Sequence, residues 1–291
     1  MENQLIHLYL RVCHTYDTCS QACFQRLSNN ATPAFTDQEL ITIFFFGHLN
    51  GLFQKKAIYR LIVNYWRQWF PHLPSYQTFC YRLNLLAQTF QALGGTWLGR
   101  LQAEMVPELD RLIDSFPVML AKHGHAYQAK VGREIANKGY CAAKKTHFHG
   151  VRLHTIAQRR NGHLPLPDRI WLRAASVHDL ASVREQDIHL PTSTLFGDKA
   201  FRDQRLEQLL TAQATRLYTP HKKPKGSELS ETQKAFNRMV NRLRQPIESF
   251  FNWLNEKTQI QNASKVRSTE SLLVQCWGKL AFAMLSLVFN Y

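Results

Sequence analysis

The apolar pattern changes period once along this 291-residue chain, and that change dictates a two-part fold. Up to residue 100 the spacing is helical: Thr36 or Asp37 can cap a helix over 38–52, and Ile58, Leu61, Ile62, Tyr65, Trp66 and Trp69 share one face of a helix over 55–70. Pro71 and Pro74 interrupt it, and Ser75 then caps "YQTFCYRLNLLAQTF". After "QALGGTWLGR" (91–100), where Gly94 and Gly95 are expected to stop the helix, strand-like segments take over. They run "RLIDSFPVML", "FHGVRLHTIAQ" and "DRIWLRAAS" as strands, then "VHDLASVREQDI" as a helix. "TSTLFGDKAF" follows as a strand, "RDQRLEQLLTAQ" as a helix and "TRLYTP" as a fifth strand. A long helical stretch over 229–257 must kink at Pro246.

Three strands in succession, followed by alternating helices and strands, predict an α/β fold: a mixed sheet flanked by helices, of RNase H-like type. The expected division is a helical domain over 1–100, of helix-turn-helix character, and an α/β domain over 101–291. In the helix-turn-helix reading, Gln77, Tyr81, Arg82 and Asn84 of the second helix face DNA; the alternative is a plain bundle corner.

Charge points to a polyanionic partner. The chain carries 36 Lys and Arg against 21 Asp and Glu, a formal net charge of +15. Residues 122–173 hold 11 basic groups and 2 acidic ones. Nucleic acid is the favoured partner and a membrane surface the lesser one. Six cysteines in a chain of this length do not make a disulfide framework, and no basic-then-apolar segment opens the chain, so reduced thiols and a cytoplasmic location are expected. Cys13, Cys19 and Cys23 have no zinc-knuckle spacing. "SLLVQCWGKLAFAMLSLVFNY" nearly has the length of a bilayer span, but Gln275 and Lys279 inside it favour a docked core helix.

Against this background three acids stand out. Asp114 interrupts an apolar strand, Asp198 ends another in "LFGDKAF", and Glu248 lies between Ile247 and Phe250 on the last helix of the α/β pattern. A buried carboxylate is costly without a partner, and several together repel unless a cation lies between them. In an RNase H-like sheet the first and fourth strands are neighbours and the closing helix covers them, so the three acids can converge. Hard divalent ions take such oxygen ligands, with water and phosphate completing the shell. Two ions about 3.5–4 Å apart would serve phosphodiester chemistry. Each acid also has an ordinary reading: Asp114 as a turn cap at Ser115, Asp198 as a turn residue, Glu248 as the i+4 partner of Arg244. Asp168 and Asp179 are rival acids near turns.

Taken in order, "IDSFPV", "FHGVRLHTI", "ASVHDLA", "FGDKAF" and "RQPIESFFNWLNEK" resemble the catalytic-domain motifs of DDE-type transposases from bacterial insertion sequences, over roughly residues 108–290. The resemblance implies an RNase H-like catalytic domain with Asp114, Asp198 and Glu248 as the metal-binding triad and Mg²⁺ or Mn²⁺ as cofactor. It also implies cleavage at the element's ends, joining of the 3′-hydroxyl to target DNA, and a homo-oligomer that synapses two double-stranded ends. Many such enzymes carry Tyr-x2-Arg-x3-Glu-x6-Lys on the final helix. Here Arg244 matches the Arg and would contact phosphate. Asn241 stands at the Tyr position and Asn255 at the Lys position, with Lys257 two residues later.

Other basic residues are expected at DNA. Lys130, Arg133, Lys138, Lys144 and Lys145 would form a loop between the first two strands, with steeply salt-dependent affinity, unless they are simply solvated. Lys199 would touch a phosphate or balance Asp198. His147, His149 and His154 are read as packing or DNA contacts ahead of zinc, and Phe250, Phe251 and Trp253 as core. Two further readings stay open: a related metal-dependent nuclease without strand transfer, and a non-catalytic DNA-binding protein.

Overall fold

The computed structural model describes residues 1–19, 33–186, 188–190, 192–224 and 226–289. The chain opens with α1 (Glu2–Thr18), α2 (Asp37–Leu49), α3 (Lys55–Leu61), α4 (Tyr76–Leu85) and α5 (Ala87–Ala103). Next come β1 (Asp110–Lys122), a short α6 (His125–Gln128), β2 (Asn137–Cys141), β3 (Thr146–Gln158) and β4 (Leu166–Ala174). They are followed by α7 (Asp179–Arg184), β5 (Thr194–Phe196), α8 (Gln204–Thr211) and β6 (Arg216–Tyr218). Helices α9 (Glu231–Arg244), α10 (Pro246–Thr258) and α11 (Thr269–Phe289) close the chain. Two compact units result: Met1–Ala103 with Leu254–Tyr291, and Glu104–Trp253.

The helical unit starts from local capping. Thr36 and Glu39 form a capping box on α2, the Glu39 amide donating to the Thr36 hydroxyl at 3.1 Å and the Thr36 amide to the Glu39 carboxylate at 2.6 Å. Helix α2 is apolar all round and buried, and Phe45 meets Trp97 of α5 and Phe282 of α11 with ring centroids 5.8 and 5.9 Å apart. Ser75 caps α4 as its position suggested, accepting from the Thr78 amide. The helix expected over 55–70 ends at Leu61, passing into a π turn (Ile62–Trp66) and a 3-10 turn (Arg67–Trp69).

Three expectations are corrected in this unit. Gly94 and Gly95 do not end a helix, because α5 runs through both. Gly94 serves packing: a Cβ there would lie 3.2 Å from the Cα of Ala281, so the missing side chain lets α11 lie close against α5, whereas a Cβ on Gly95 would meet nothing within 4 Å. For the same reason the C-terminal helix packs with the N-terminal helices, and the final residues do not belong with the sheet as a 101–291 division would have them. Third, Arg82, expected to face DNA, has its guanidinium engaged within the unit. Its guanidinium is 13% exposed and donates to Asp37 at 2.8 Å and to the Phe35 carbonyl at 2.6 Å, tying α4 to the start of α2. Asn84 likewise accepts from Lys55.

Helix α11 is long and apolar enough to cross a membrane, and most of it is buried inside this unit. Cys13 and Cys19 are free thiols, and Cys23 lies outside the described residues.

The second unit is a six-stranded mixed sheet in the order β2-β3-β1-β5-β6, with β4 also on β3. β3 pairs β2 along Thr146–Gly150 and β4 along Val151–Gln158, both antiparallel, so the two short strands share one edge of it. β1 runs antiparallel to β3 and parallel to β5, and β5 is parallel to β6. This is the RNase H-like arrangement the element order predicted. Strand β2 was not foreseen, because "NKGYC" has neither apolar alternation nor β-branched residues.

On one face of β1 and β3, Ile113 and Ile156 pack with Val183 of α7 and Leu206 and Leu210 of α8. On the other, Phe116 stacks on Phe251 of α10 with centroids 5.1 Å apart. The alternation of β1 therefore sends Ile113 to α7 and α8, and Asp114 to the side covered by α9 and α10.

Candidate active site

Asp114 pairs across β1–β3 with Thr155, in the middle of the sheet. Its side chain is 22% exposed and has two partners. One oxygen accepts from the Ser115 amide at 2.8 Å, the other from the Arg244 guanidinium at 3.2 Å. Burial raises its pKa to about 6, against the opposing pull of Arg244 and the Ser115 amide, and Asp179 adds a further push upward. The turn-cap reading of Asp114 is thus half correct, since the carboxylate binds its neighbour's amide and keeps its second oxygen for a cation.

Arg244, at the end of α9, supplies that cation. It is 16% exposed, and its second terminal nitrogen donates to Glu248 at 2.9 Å. One guanidinium therefore bridges a carboxylate from the central strand to one from α10. The Pro246 break makes this possible. Proline has no amide to continue α9 and sits comfortably in the first turn of a new helix, so Arg244 ends one helix and Glu248 lies in the first turn of the next. Glu248 is not inward-facing as its apolar neighbours suggested: Ile247 and Phe250 are buried, while the Glu248 side chain is 57% exposed at the rim.

Asp198 lies two residues past the end of β5 and caps the 3-10 turn Lys199–Phe201, accepting from the Lys199 amide at 2.7 Å. The parallel register ends at the Leu112–Phe196 pair, and Asp114 and Asp198 each lie two residues beyond it. Neighbouring strands are about 4.8 Å apart. Gly197 maintains the approach, for a Cβ there would lie 3.0 Å from Ile113 Cγ2 and from Phe201. All three acids are oxygen donors, the set a hard divalent cation prefers. Among the described residues no three His, Cys, Asp or Glu close around one point, and Arg244 stands between Asp114 and Glu248.

Behind Ser115, on the α7 side of the sheet, lies a network that the motifs did not single out. Arg152 reaches the Ser115 hydroxyl at 3.3 Å, Asp179 at 3.4 Å and the Tyr140 carbonyl at 2.7 Å. His154, fully buried, stacks on Trp171 at 5.3 Å, and its Nδ1 is 3.8 Å from Asp179. Burial drives its pKa down to about 4, so the ring is neutral near pH 7 despite Asp179. Asp179 had been weighed as a rival acid; it holds Arg152 and acts on Asp114 through its charge. His147 and His149 belong to the region around β2 and α6: His147 packs on Tyr140, and His149 bonds the Val131 carbonyl. Asp168 is engaged by Arg111 and Gln158.

The other basic residues fall into two groups. Lys130, Arg133, Lys138, Lys144 and Lys145 are exposed around the β2–β3 hairpin, with Lys138 on β2 itself, its Nζ 4.2 Å from the centre of the Tyr127 ring. Lys199 is exposed beside Asp198, and Lys257 is in the last turn of α10. Sequence reasoning missed a second group. A cavity of about 570 Å³ between the β3–β4 turn and the α9–α10 junction is lined by Arg159, Arg160 and Arg242. Two cavities of about 450 Å³ continue it, one lined by Arg159, Arg238 and Arg242, the other by Arg242, Arg244 and Glu248. Arg238 and Arg242 are four residues apart on α9, a spacing that was available to find them.

A family model described as a transposase DDE domain matches residues 107–285. No curated protein matches the chain.

Proposed function

The chain belongs to the transposases with a DDE domain, and on that premise we propose that Asp114, Asp198 and Glu248 are its metal-binding triad, acting in cleavage of element ends and strand transfer. The reading rests on one observation: a single guanidinium, Arg244, joins a carboxylate of the central strand to one on α10, 134 residues further along. Such a pair needs positive charge between its members, and Arg244 supplies it in the absence of a divalent ion.

Asp114 and Asp198 would hold the ion from adjacent strands, and Glu248 would complete the set from the rim. Mg²⁺ or Mn²⁺ bound there would polarise the scissile phosphate and lower the pKa of an attacking water or 3′-hydroxyl. The raised pKa of Asp114 marks a carboxylate short of counter-charge, which favours cation uptake at neutral pH. With both carboxylates so engaged, Arg244 is free to grip a phosphate, and it already lines an open cavity beside Glu248. Arg159, Arg160, Arg238 and Arg242 would follow the DNA backbone from there, and the exposed lysines around the β2–β3 hairpin would extend the contact. Two double-stranded ends require two active sites, so a homo-oligomer is the working form under this proposal.

Metal-dependent nicking of the DNA flanking this reading frame, compared between wild type and Asp114→Asn, tests the triad: unchanged nicking in the variant refutes it. A pre-cut end offered with target DNA separates strand transfer from simple nuclease action, since only the former yields joined product.

A further inference from the structure

We propose that the helical unit carries a second phosphate-binding site, a pocket built on Lys55 and Lys279. The pocket measures about 830 Å³ and lies between the segment Gly51–Ala57, the chain around Gln259–Val266 and the flank of α11. Its wall includes Phe53, Lys55, Lys56, Tyr76, Lys265 and Lys279, and no Asp or Glu.

Lys279 is the anomaly. It sits in the middle of an apolar helix and is 2% exposed. Its ammonium has three protons to donate, and the acceptor found for it is the Gln259 carbonyl at 3.3 Å. Lys55 donates to the Asn84 side chain at 2.5 Å and to the Ser271 hydroxyl at 2.9 Å, both neutral acceptors. The groups that raise the two amines, Cys80 acting on Lys55 and Cys276 on Lys279, are thiols and not carboxylates. Burial pushes the Cys276 thiol up to about 12, and burial together with Lys279 pushes His48 down to about 3. Burial lowers Lys55 to about 8 and Lys279 to about 7, and the charge of Lys55 adds to the depression of Lys279.

A buried amine, Lys279, and a half-buried one, Lys55, facing an open cavity without a carboxylate have the unmet electrostatics of an anion site. In a sealed core they would be costly and easily replaced by apolar side chains. Here the cavity admits an oxyanion, whose several acceptor oxygens can take the spare ammonium protons and the Ser271 hydroxyl together. Lysine binds phosphate as a point charge and needs no planar fork, so a compact buried pocket suits it. Lys56 and Lys265 are exposed at the same pocket and draw polyanions toward it. The phosphate can come from a DNA strand or from a free phosphate or nucleotide. All lining residues belong to the helical unit, so this site is separate from the acid triad.

The test uses the full chain without divalent metal. Melting temperature is followed in inorganic phosphate against chloride at matched ionic strength, and a labelled oligonucleotide is titrated by fluorescence anisotropy. Wild type is expected to be stabilised by phosphate. Lys279→Met should lose about tenfold or more in phosphate affinity, Lys55→Met should behave similarly, and Lys279→Arg should retain binding. Oligonucleotide affinity falling in parallel assigns the phosphate to DNA; unchanged oligonucleotide affinity with lost phosphate binding assigns it to the free ion or nucleotide. Asp114→Asn should bind phosphate as wild type does, whatever its cleavage activity. If wild type ignores phosphate, or both Met variants respond to it as wild type does, the proposal is wrong.

Discussion

Replacing Asp114 with Asn should abolish cleavage and at the same time stabilise the metal-free protein. The side chain is nearly isosteric, and its carbonyl oxygen can still accept from Arg244 or the Ser115 amide. What disappears is a buried charge. Moving an aspartate from 3.8 to about 6 corresponds to about 3 kcal/mol of preference for the neutral form at neutral pH, and this is an upper figure for the gain. In a unit of this size that amounts to roughly 5–10 °C in melting temperature. The sign follows from the raised folded value. A carboxyl whose pKa rises on folding favours the folded state below its unfolded pKa, and the favour is lost as pH climbs through the folded pKa. The two proteins should therefore melt alike near pH 4 and diverge up to about pH 6 or slightly above. Thermal unfolding in EDTA across this range, followed by circular dichroism, provides the measurement. Saturating Mg²⁺ should narrow the gap by stabilising wild type alone. If the Asn variant is the less stable protein at pH 7.5 without metal, the ion pair with Arg244 outweighs burial, and the idea of a carboxylate awaiting a cation is refuted.

Three further outcomes follow from the same geometry. Glu248→Gln should cut metal-dependent cleavage about a hundredfold or more while shifting stability by no more than about 0.5 kcal/mol, because its pair with Arg244 is largely in solvent; single-turnover cleavage and urea unfolding read the two effects. Removing the charge of Arg242, which lines all three cavities near the α9–α10 junction, should weaken binding evenly across DNA sequences and flatten the plot of log affinity against log salt by about one. Gly94→Leu should destabilise the helical unit by about 1–3 kcal/mol in urea unfolding, since the new side chain meets the Ala281 backbone.

Much of this fold was legible because it is written in near neighbours. Alternation in "RLIDSFPVML", the cap at Ser75 and the order of the foreseen strands and helices depend on residues within a few positions of each other, and all three are present; at Pro246 the expected kink is a full change of helix. Strand β2 escaped notice because its pairing comes from β3 and not from its own composition. The Gly94–Gly95 pair was misread for a related reason: glycine weakens a helix locally, but the close approach of α11 requires it at Gly94.

The sequence alone determined which residue types were available: three acids at fold-critical points, a basic excess, and an arginine four residues before a glutamate. Only the tertiary structure decided their partners. Arg82 was committed to Asp37, Arg244 was set between Asp114 and Glu248, Arg152 was placed against Asp179, and Lys279 was enclosed without a carboxylate. The physical reason is that backbone preference is a short-range property, whereas charge pairing and desolvation depend on which distant segments a sheet register or a helix contact brings together.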